Sequence, residues 1–226
     1  MKNLIKSLAL SATLALVGAS ASAAVITLDF EGVAPTYPHS NNTLVQDFYN
    51  GGTSSSGTSG TNYGVAFSDN ALAVCLNTQT TSCSNGSRGG EGNPNSQLGA
   101  LFFLTGSETF MNVAAGFDTG FSFFYSAINQ GGSVSVFDGL NGTGNLLASI
   151  SLGTTSSNCT GYGANFCPFV ASGIAFSGIA KSVSFGGVAD QVAFDDVTFG
   201  SVTPDPGVVP LPAGLPLLGA GLMALG

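Results

Sequence analysis

The chain of 226 residues is short of the side chains on which most enzymes depend. It contains no Trp and a single histidine, His39, which lies between Pro38 and Ser40. A Ser–His or Cys–His mechanism would have to use that histidine, and no nucleophile-elbow sequence pairs with it. We therefore predict that the protein is not an enzyme. A hydrolase using two carboxylates is the remaining catalytic alternative, and it would require a cleft holding two facing acids.

Charge is also scarce, because charged residues make up only 7% of the chain. Four basic residues stand against twelve acidic ones, and two of the four are Lys2 and Lys6 at the extreme N-terminus. Such a chain cannot neutralise a phosphate backbone, which excludes nucleic acid as a partner. Divalent cations and neutral glycans remain compatible with this balance.

What the chain does have is glycine, hydroxyl side chains and phenylalanine, with 33 Gly and 17 Phe. Apolar residues alternate with Ser, Thr or acidic residues in short runs, which is typical of strands packed on one face. We predict an all-β fold, an antiparallel β-sandwich of jelly-roll type, with no helix between the two ends of the chain. The runs that show the alternation are 26–31, 121–126, 133–136, 149–152 and 182–185.

Glycine and asparagine clusters separate the predicted strands. Residues 129–132 and 138–144 both have the composition of turns between neighbouring strands. Residues 50–61 are nearly all Gly, Ser and Thr, and this composition predicts a mobile loop. We assign residues 24–200 to a single β-sandwich domain.

The N-terminal segment, residues 1–23, has the three parts of a secretory signal peptide. Lys2 and Lys6 precede an apolar stretch over residues 8–17, and Ala21-Ser22-Ala23 forms a small-residue cleavage site. The apolar stretch is too short to span a bilayer. An uncleaved N-terminal anchor helix is the alternative. We expect export, with signal peptidase as one processing partner.

The C-terminal segment is apolar and follows a Pro-rich linker over residues 201–208. No charge occurs from Val208 onward, a length of 19 residues that can span a membrane. The prolines at its start favour an extended conformation, and a hydrophobic helix can begin at about Leu215.

This segment, residues 209–226, resembles the C-terminal sorting signal of the PEP-CTERM class in its VPLPA variant. The resemblance rests on Val209, Pro210, Leu211, Pro212 and Ala213, followed by the run of Leu, Gly and Ala. It implies recognition by a membrane-embedded exosortase, transient anchoring in the inner membrane, and a Gram-negative bacterium that makes exopolysaccharide and biofilm. A plain membrane anchor without processing is the alternative.

The four cysteines form two pairs of equal spacing, Cys75 with Cys83 and Cys159 with Cys167. Export to an oxidising compartment makes disulfide bonds the expected state. Three pairings are possible from the sequence, and we favour the local one. A zinc site is the rival interpretation, although the spacing and the lack of nearby histidine speak against it.

Two acidic pairs, Asp29 with Glu31 and Asp195 with Asp196, are the candidate metal ligands. The apolar pattern changes parity at Asp195–Asp196, which predicts a β-bulge. If the first and last strands pair, the four carboxylates come together with no basic residue nearby in sequence. This arrangement predicts a structural Ca²⁺ site. The alternative is a set of solvated carboxylates that protects a sheet edge.

We expect a non-catalytic protein of the cell surface or extracellular matrix, associated with exopolysaccharide and biofilm. Its role would be to present a disulfide-pinned scaffold rich in hydroxyl groups. A carbohydrate-binding module for exopolysaccharide is the alternative from another functional class.

Overall fold

A computed structural model describes residues 25–34, 43–75, 93, 95–96, 98–156 and 166–204. This part of the chain is all-β, as predicted, with 49% of its residues in strands and no helix. The strands are β1 Ile26–Leu28, β2 Thr43–Leu44, β3 Val65–Phe67, β4 Leu72–Cys75, β5 Gly99–Phe102, β6 Glu108–Phe117, β7 Gly120–Ala127, β8 Gly132–Phe137, β9 Leu146–Leu152, β10 Val170–Ala175, β11 Ala180–Gly187 and β12 Val192–Phe199.

These strands form two antiparallel sheets. The larger has the order β10-β7-β12-β5-β4-β2, with β1 also paired to β12, and the smaller has the order β3-β6-β11-β8-β9. From β5 onward the chain changes sheet at every step except β8 to β9, which form a hairpin. The predicted turns are confirmed, because residues 128–131 connect β7 to β8 and residues 138–145 connect β8 to β9.

Phenylalanine rings join the two sheets. Phe185 of the smaller sheet lies edge-on to Phe121 and Phe194 of the larger one, with ring centroids 5.9 and 4.8 Å apart. All three side chains are fully buried. The alternation predicted for β7 and β11 places these rings on the inner faces, where they form the core of the domain.

The prediction that each sheet is packed on one face only is wrong for the larger sheet. Ser122 and Ser126, expected on a solvated face, are fully buried, and every residue of β12, including Thr198, is buried. A second hydrophobic cluster, built around Phe102 and Phe166, covers part of the outer face. The polar strand residues are therefore enclosed by chain segments outside the sheet, which the alternation itself does not reveal.

The Gly/Ser/Thr-rich segment 50–61, predicted to be mobile, is a compact loop. Its backbone hydrogen bonds include Gly52 N to Asp47 O at 3.0 Å and Ser54 N to Thr58 O at 2.8 Å. The Thr58 hydroxyl also donates to the carbonyl of Val33, which ties the loop to the segment after β1. Small polar residues permit this tight internal bonding because they can hydrogen-bond their own backbone.

Cys75 and Cys167 are buried, and neither is a free thiol, since each is disulfide-bonded. Cys83 and Cys159 lie outside the described residues, so no disulfide is seen with both halves described, and the local pairing stays a prediction.

The signal peptide, residues 205–208 of the Pro-rich linker and the sorting motif also lie outside the described residues. In the part of the chain that the structure describes, no helix is long and apolar enough to cross a membrane.

Candidate functional site

The first and last strands pair, as the sequence predicts. β1 lies antiparallel to β12, with Leu28 opposite Val197 and Ile26 opposite Phe199. The register between β12 and β7 shifts by one residue between Asp195 and Thr198, which confirms the predicted bulge. At the bulge the neighbour of β12 changes from β5 to β1. Asp29 with Glu31 and Asp195 with Asp196 lie close to the point where β12 changes its neighbouring strand. We call these four carboxylates the acidic junction.

Asp195 and Asp196 are enclosed in the junction, with 0% and 2% of their surface exposed. The Ser96 hydroxyl oxygen lies 2.9 Å from Asp195 Oδ2 and 2.9 Å from Asp196 Oδ1. Asn93 Nδ2 donates to Asp196 Oδ2 at 2.8 Å, and Asp196 N donates to Asp195 Oδ1 at 2.8 Å. Since a serine hydroxyl carries one hydrogen, it can donate to only one of the two carboxylates at a time.

Asp29 and Glu31 occupy the turn after β1 and are not in the strand, contrary to the sequence-based expectation. β1 ends at Leu28 because Phe30 adopts a positive φ of 54°. Glu31 Oε1 accepts hydrogen bonds from Leu98 N at 2.7 Å and Gly99 N at 3.1 Å. Glu31 thereby links the turn after β1 to the start of β5.

Gly99 is required for this approach. A Cβ at this position would lie 2.1 Å from the carbonyl oxygen of Phe30, a distance that no side chain tolerates. The absence of a side chain lets the turn after β1 lie directly against β5.

The surroundings of the junction raise the pKa of Asp195, Asp196 and Glu31. Burial raises the pKa of Asp195 well above its usual range, and the neighbouring Asp196 raises it further. Burial also raises the pKa of Asp196 and of Glu31, although the hydrogen bonds from Ser96 and Asn93 to Asp196 and from Leu98 and Gly99 to Glu31 oppose the shift. Charged carboxylates this close together need either protons or a cation.

The structure thus brings together the four residues that the sequence singled out for calcium. In the part of the chain described, however, no group of three or more His, Cys, Asp or Glu side chains is arranged to hold a metal ion. The carboxylate oxygens instead accept hydrogen bonds from Ser96, Asn93 and backbone amides. The calcium site therefore stays a prediction, and ion binding would require some of these hydrogen bonds to be exchanged.

A concave pocket of about 230 Å³ opens beside the junction. We call it the Tyr63 pocket, after its half-buried aromatic residue. It combines carboxylates, hydroxyl groups and aromatic rings, and it is lined by Thr27, Asp29, Glu31, Phe48, Tyr49, Gly60, Thr61 and Tyr63.

The aromatic wall of this pocket continues from the core. The Tyr63 ring stacks on Tyr49, with centroids 6.3 Å apart and planes inclined by 28°, and Tyr49 lies edge-on to Phe48 at 4.7 Å. The Tyr49 hydroxyl accepts a hydrogen bond from Phe30 N at 2.9 Å and lies 3.4 Å from Asp29 Oδ1. The buried ring of Tyr49 thus holds both Tyr63 and the turn after β1 in position.

Sequence reasoning missed the partners of the acidic residues. Asn93, Ser96, Tyr49 and Tyr63 belong to stretches with no periodic pattern or motif, and only the tertiary fold brings them to the junction and pocket. His39, which we predicted to have no catalytic role, lies outside the described residues.

No protein-family model matches this chain, and no curated protein sequence matches it.

Proposed function

We propose that the protein is a non-catalytic, exported component of the cell surface or extracellular matrix, sorted through its C-terminal segment. The observation that carries the proposal is the motif Val209–Ala213 with its apolar run, which follows the last strand of the domain by only nine residues. A folded β-domain followed by a short Pro-rich linker and a hydrophobic segment suits a protein that is anchored first and then released or retained.

The body would be a jelly-roll sandwich. The orders β5-β12-β7-β10 in one sheet and β6-β11-β8-β9 in the other support this topology, because an eight-stranded jelly roll pairs its first strand with its last. Such a scaffold, pinned by disulfides and rich in surface hydroxyl groups, suits a matrix protein because it resists unfolding outside the cell.

The partners of this proposal are the enzymes that process the chain. Signal peptidase would cleave after Ala23, and an exosortase would act at Val209–Ala213 while the tail is anchored in the inner membrane. The mature protein would then reside in the envelope or among exopolysaccharide in a Gram-negative biofilm.

A non-catalytic role is supported by the placement of the acids in the Tyr63 pocket. Asp29 and Glu31 come from one turn, whereas cleavage of a glycosidic bond needs carboxyls on two sides of the bond. One oxygen of Glu31 is also held by two backbone amides.

The mature C-terminus tests the proposal. The full-length gene is expressed in its own host, the cells are fractionated, and the intact mass of the protein is measured in each fraction. We expect a product that ends near Val209–Ala213 and is found outside the cell or on its surface. An uncut product confined to the membrane fraction would show that the tail is only an anchor and would end the sorting proposal.

Carbohydrate binding is the second candidate function, and the Tyr63 pocket is the observation that favours it. Aromatic faces, hydroxyls and carboxylates in one concavity are the groups that bind sugars. Co-sedimentation with the host's purified exopolysaccharide tests this candidate, and a protein that stays in the supernatant would exclude it.

A further inference from the structure

We propose that the Tyr63 pocket binds one neutral sugar ring, which stacks on Tyr63 and donates hydroxyl hydrogens to Asp29 and Glu31. The inference rests on the carbohydrate-binding candidate and adds the site, the class of ligand and the residues that hold it.

The size of the pocket limits the ligand to a single ring. The pocket has a volume of about 230 Å³. This is below the usual ~300–1,000 Å³ of pockets for drug-sized molecules. The pocket therefore accommodates one sugar unit, with the rest of a polymer lying outside.

The chemistry of the lining selects a donor of hydrogen bonds. Asp29 and Glu31 contribute carboxylate oxygens. Asp29 Oδ1 accepts a hydrogen bond from Glu31 N at 3.1 Å, and Glu31 Oε1 accepts from Leu98 N and Gly99 N, so the second oxygen of each acid is the one that would accept from a ligand. Thr27 and Thr61 add hydroxyl groups. Two acids, with no basic residue among the described residues of the lining, repel anionic sugars, whereas the hydroxyls of a neutral sugar can donate to both.

The aromatic wall is fixed before any ligand arrives. Tyr63 N donates to Tyr49 O at 2.9 Å, and Gly60 N donates to Phe48 O at 3.1 Å. A Cβ at Gly60 would lie 2.4 Å from the Phe48 ring, so the loop packs closely against that ring. Because the Tyr63 backbone and ring are both held, stacking a sugar on it costs little ordering entropy.

One sugar ring in a small open pocket binds weakly. Many copies of the protein on one surface, facing a polymer of repeated rings, would bind together with an avidity well above that of one site. The pocket would thus link a surface-retained protein to the polysaccharide around it.

The test uses the full chain purified in detergent, with the methyl glycosides of glucose, galactose and mannose as probes. Saturation-transfer NMR detects binding, and tyrosine fluorescence gives affinity, because the chain has no Trp to mask it. The variants are Tyr63→Ala, Tyr63→Phe and Asp29→Asn. Tyr125→Phe is the matched control, since Tyr125 is a half-buried tyrosine of β7 outside the pocket.

At least one glycoside is expected to bind the unaltered chain. Loss of the Tyr63 ring is expected to weaken that binding by roughly two- to tenfold, the usual value of one aromatic contact. Tyr63→Phe and Tyr125→Phe should bind almost as the unaltered chain does, and Asp29→Asn should bind more weakly because it loses a charge-assisted hydrogen bond.

Two results would overturn the inference: no binding of any of the three probes by the unaltered chain, or equal binding by Tyr63→Ala with an unchanged unfolding midpoint. Neither result bears on the sorting proposal, which depends on the mature C-terminus alone. Conversely, an uncut membrane-bound chain that binds the glycoside would support the proposed sugar site and contradict the sorting proposal.

Discussion

Two regions of this protein hold aspartates by hydrogen bonds, with opposite electrostatic results. In the turn between β8 and β9, Asp138 accepts from Asn145 N at 2.6 Å and from Asn145 Nδ2 at 2.8 Å, and these bonds lower the pKa of its carboxyl. In the acidic junction, Asp195 also accepts two hydrogen bonds, from Ser96 and from Asp196 N, yet its pKa is raised.

The difference comes from burial and from the neighbouring charges. Asp138 remains in contact with solvent and has Lys181 nearby, so its charged form is stabilised. Asp195 is fully enclosed beside Asp196 and Glu31, and two hydrogen bonds do not offset the loss of water and the repulsion. Hydrogen bonds alone therefore do not decide the charge state of a carboxyl.

The pH dependence of stability tests this contrast directly and should show the largest effect. The unfolded carboxyls titrate near the ordinary pKa values of 3.8 and 4.5, and the folded carboxyls of Glu31, Asp195 and Asp196 titrate above them. These carboxyls contribute their full stabilisation of the fold when the pH is below the ordinary values. The contribution is lost as the pH rises through the pKa values of the folded state. Calorimetry should show the unfolding temperature falling as pH increases from about 4.5 to 8.

The two regions supply matched controls for this experiment. Asp195→Asn should flatten the dependence, because it removes the most strongly shifted group. Asp138→Asn should leave the dependence above pH 4 unchanged, since the lowered pKa of Asp138 makes its own contribution disappear only as pH falls below 3.8. Stability that rises with pH in the unaltered chain would contradict the assigned charge states.

Gly99→Ala should disrupt the junction without changing any charge. Its methyl group would collide with the Phe30 backbone, which cannot move without shifting Glu31. We expect a loss of about 3 kcal/mol in the free energy of unfolding, at the upper end for overpacking. Gly153→Ala is the control, because a Cβ there meets nothing within 4 Å. Equal denaturant midpoints for the two variants would contradict the observation that the turn after β1 lies directly against β5 at Gly99.

The calcium prediction can be tested against the hydrogen-bonded arrangement. An ion bound by Asp29, Glu31, Asp195 and Asp196 would stabilise the fold by about 2.7 kcal/mol at a hundredfold excess over its Kd. The unfolding midpoint in calcium should then exceed that in EGTA, and the fall in stability with pH should disappear. Equal midpoints, in a preparation shown to be free of metal, would exclude the ion.

Ser96→Ala should give the smallest effect of the series. Asp195 and Asp196 would lose a buried donor, which costs about 1–2 kcal/mol. Ser135→Ala is the control, because the Ser135–Ser149 hydrogen bond of 2.9 Å lies on an exposed surface, and its loss should change stability by less than about 0.5 kcal/mol. A larger loss of stability in Ser135→Ala than in Ser96→Ala would contradict the expectation that the buried polar contact contributes more than the exposed one.

Local patterns predict only part of the strands of this protein, since the alternating runs fall on β1, β7, β8, β9 and β11. Alternation located β7, β8, β9 and β11, and the parity change at Asp195–Asp196 located the bulge, because strand geometry fixes which residues share a face. The pairing of the first and last strands followed from the sandwich architecture.

Features that depend on distant segments were not predictable. Alternation at Asp29 and Glu31 continues the strand pattern, but the positive φ of Phe30 ends the strand before them. The burial of Ser122 and Ser126 arises from chain segments remote in sequence. The Tyr63 pocket likewise depends on the loop 50–61. The composition of this loop predicts a mobile segment, whereas its backbone hydrogen bonds form a compact loop.

The central position of β12 determines when the domain can finish folding. β1 and β12 are separated by more than 160 residues, and β12 also lies between β7 and β5. Until residues 192–199 have been synthesised, β7 and β5 each lack one of their two sheet neighbours and β1 lacks its partner β12, and non-local pairing of this kind is slow. A chain threaded through a membrane must stay unfolded while it crosses. Under the proposed export, the late completion of this fold would satisfy that requirement, since β12, which lies inside the larger sheet, is synthesised just before the apolar tail.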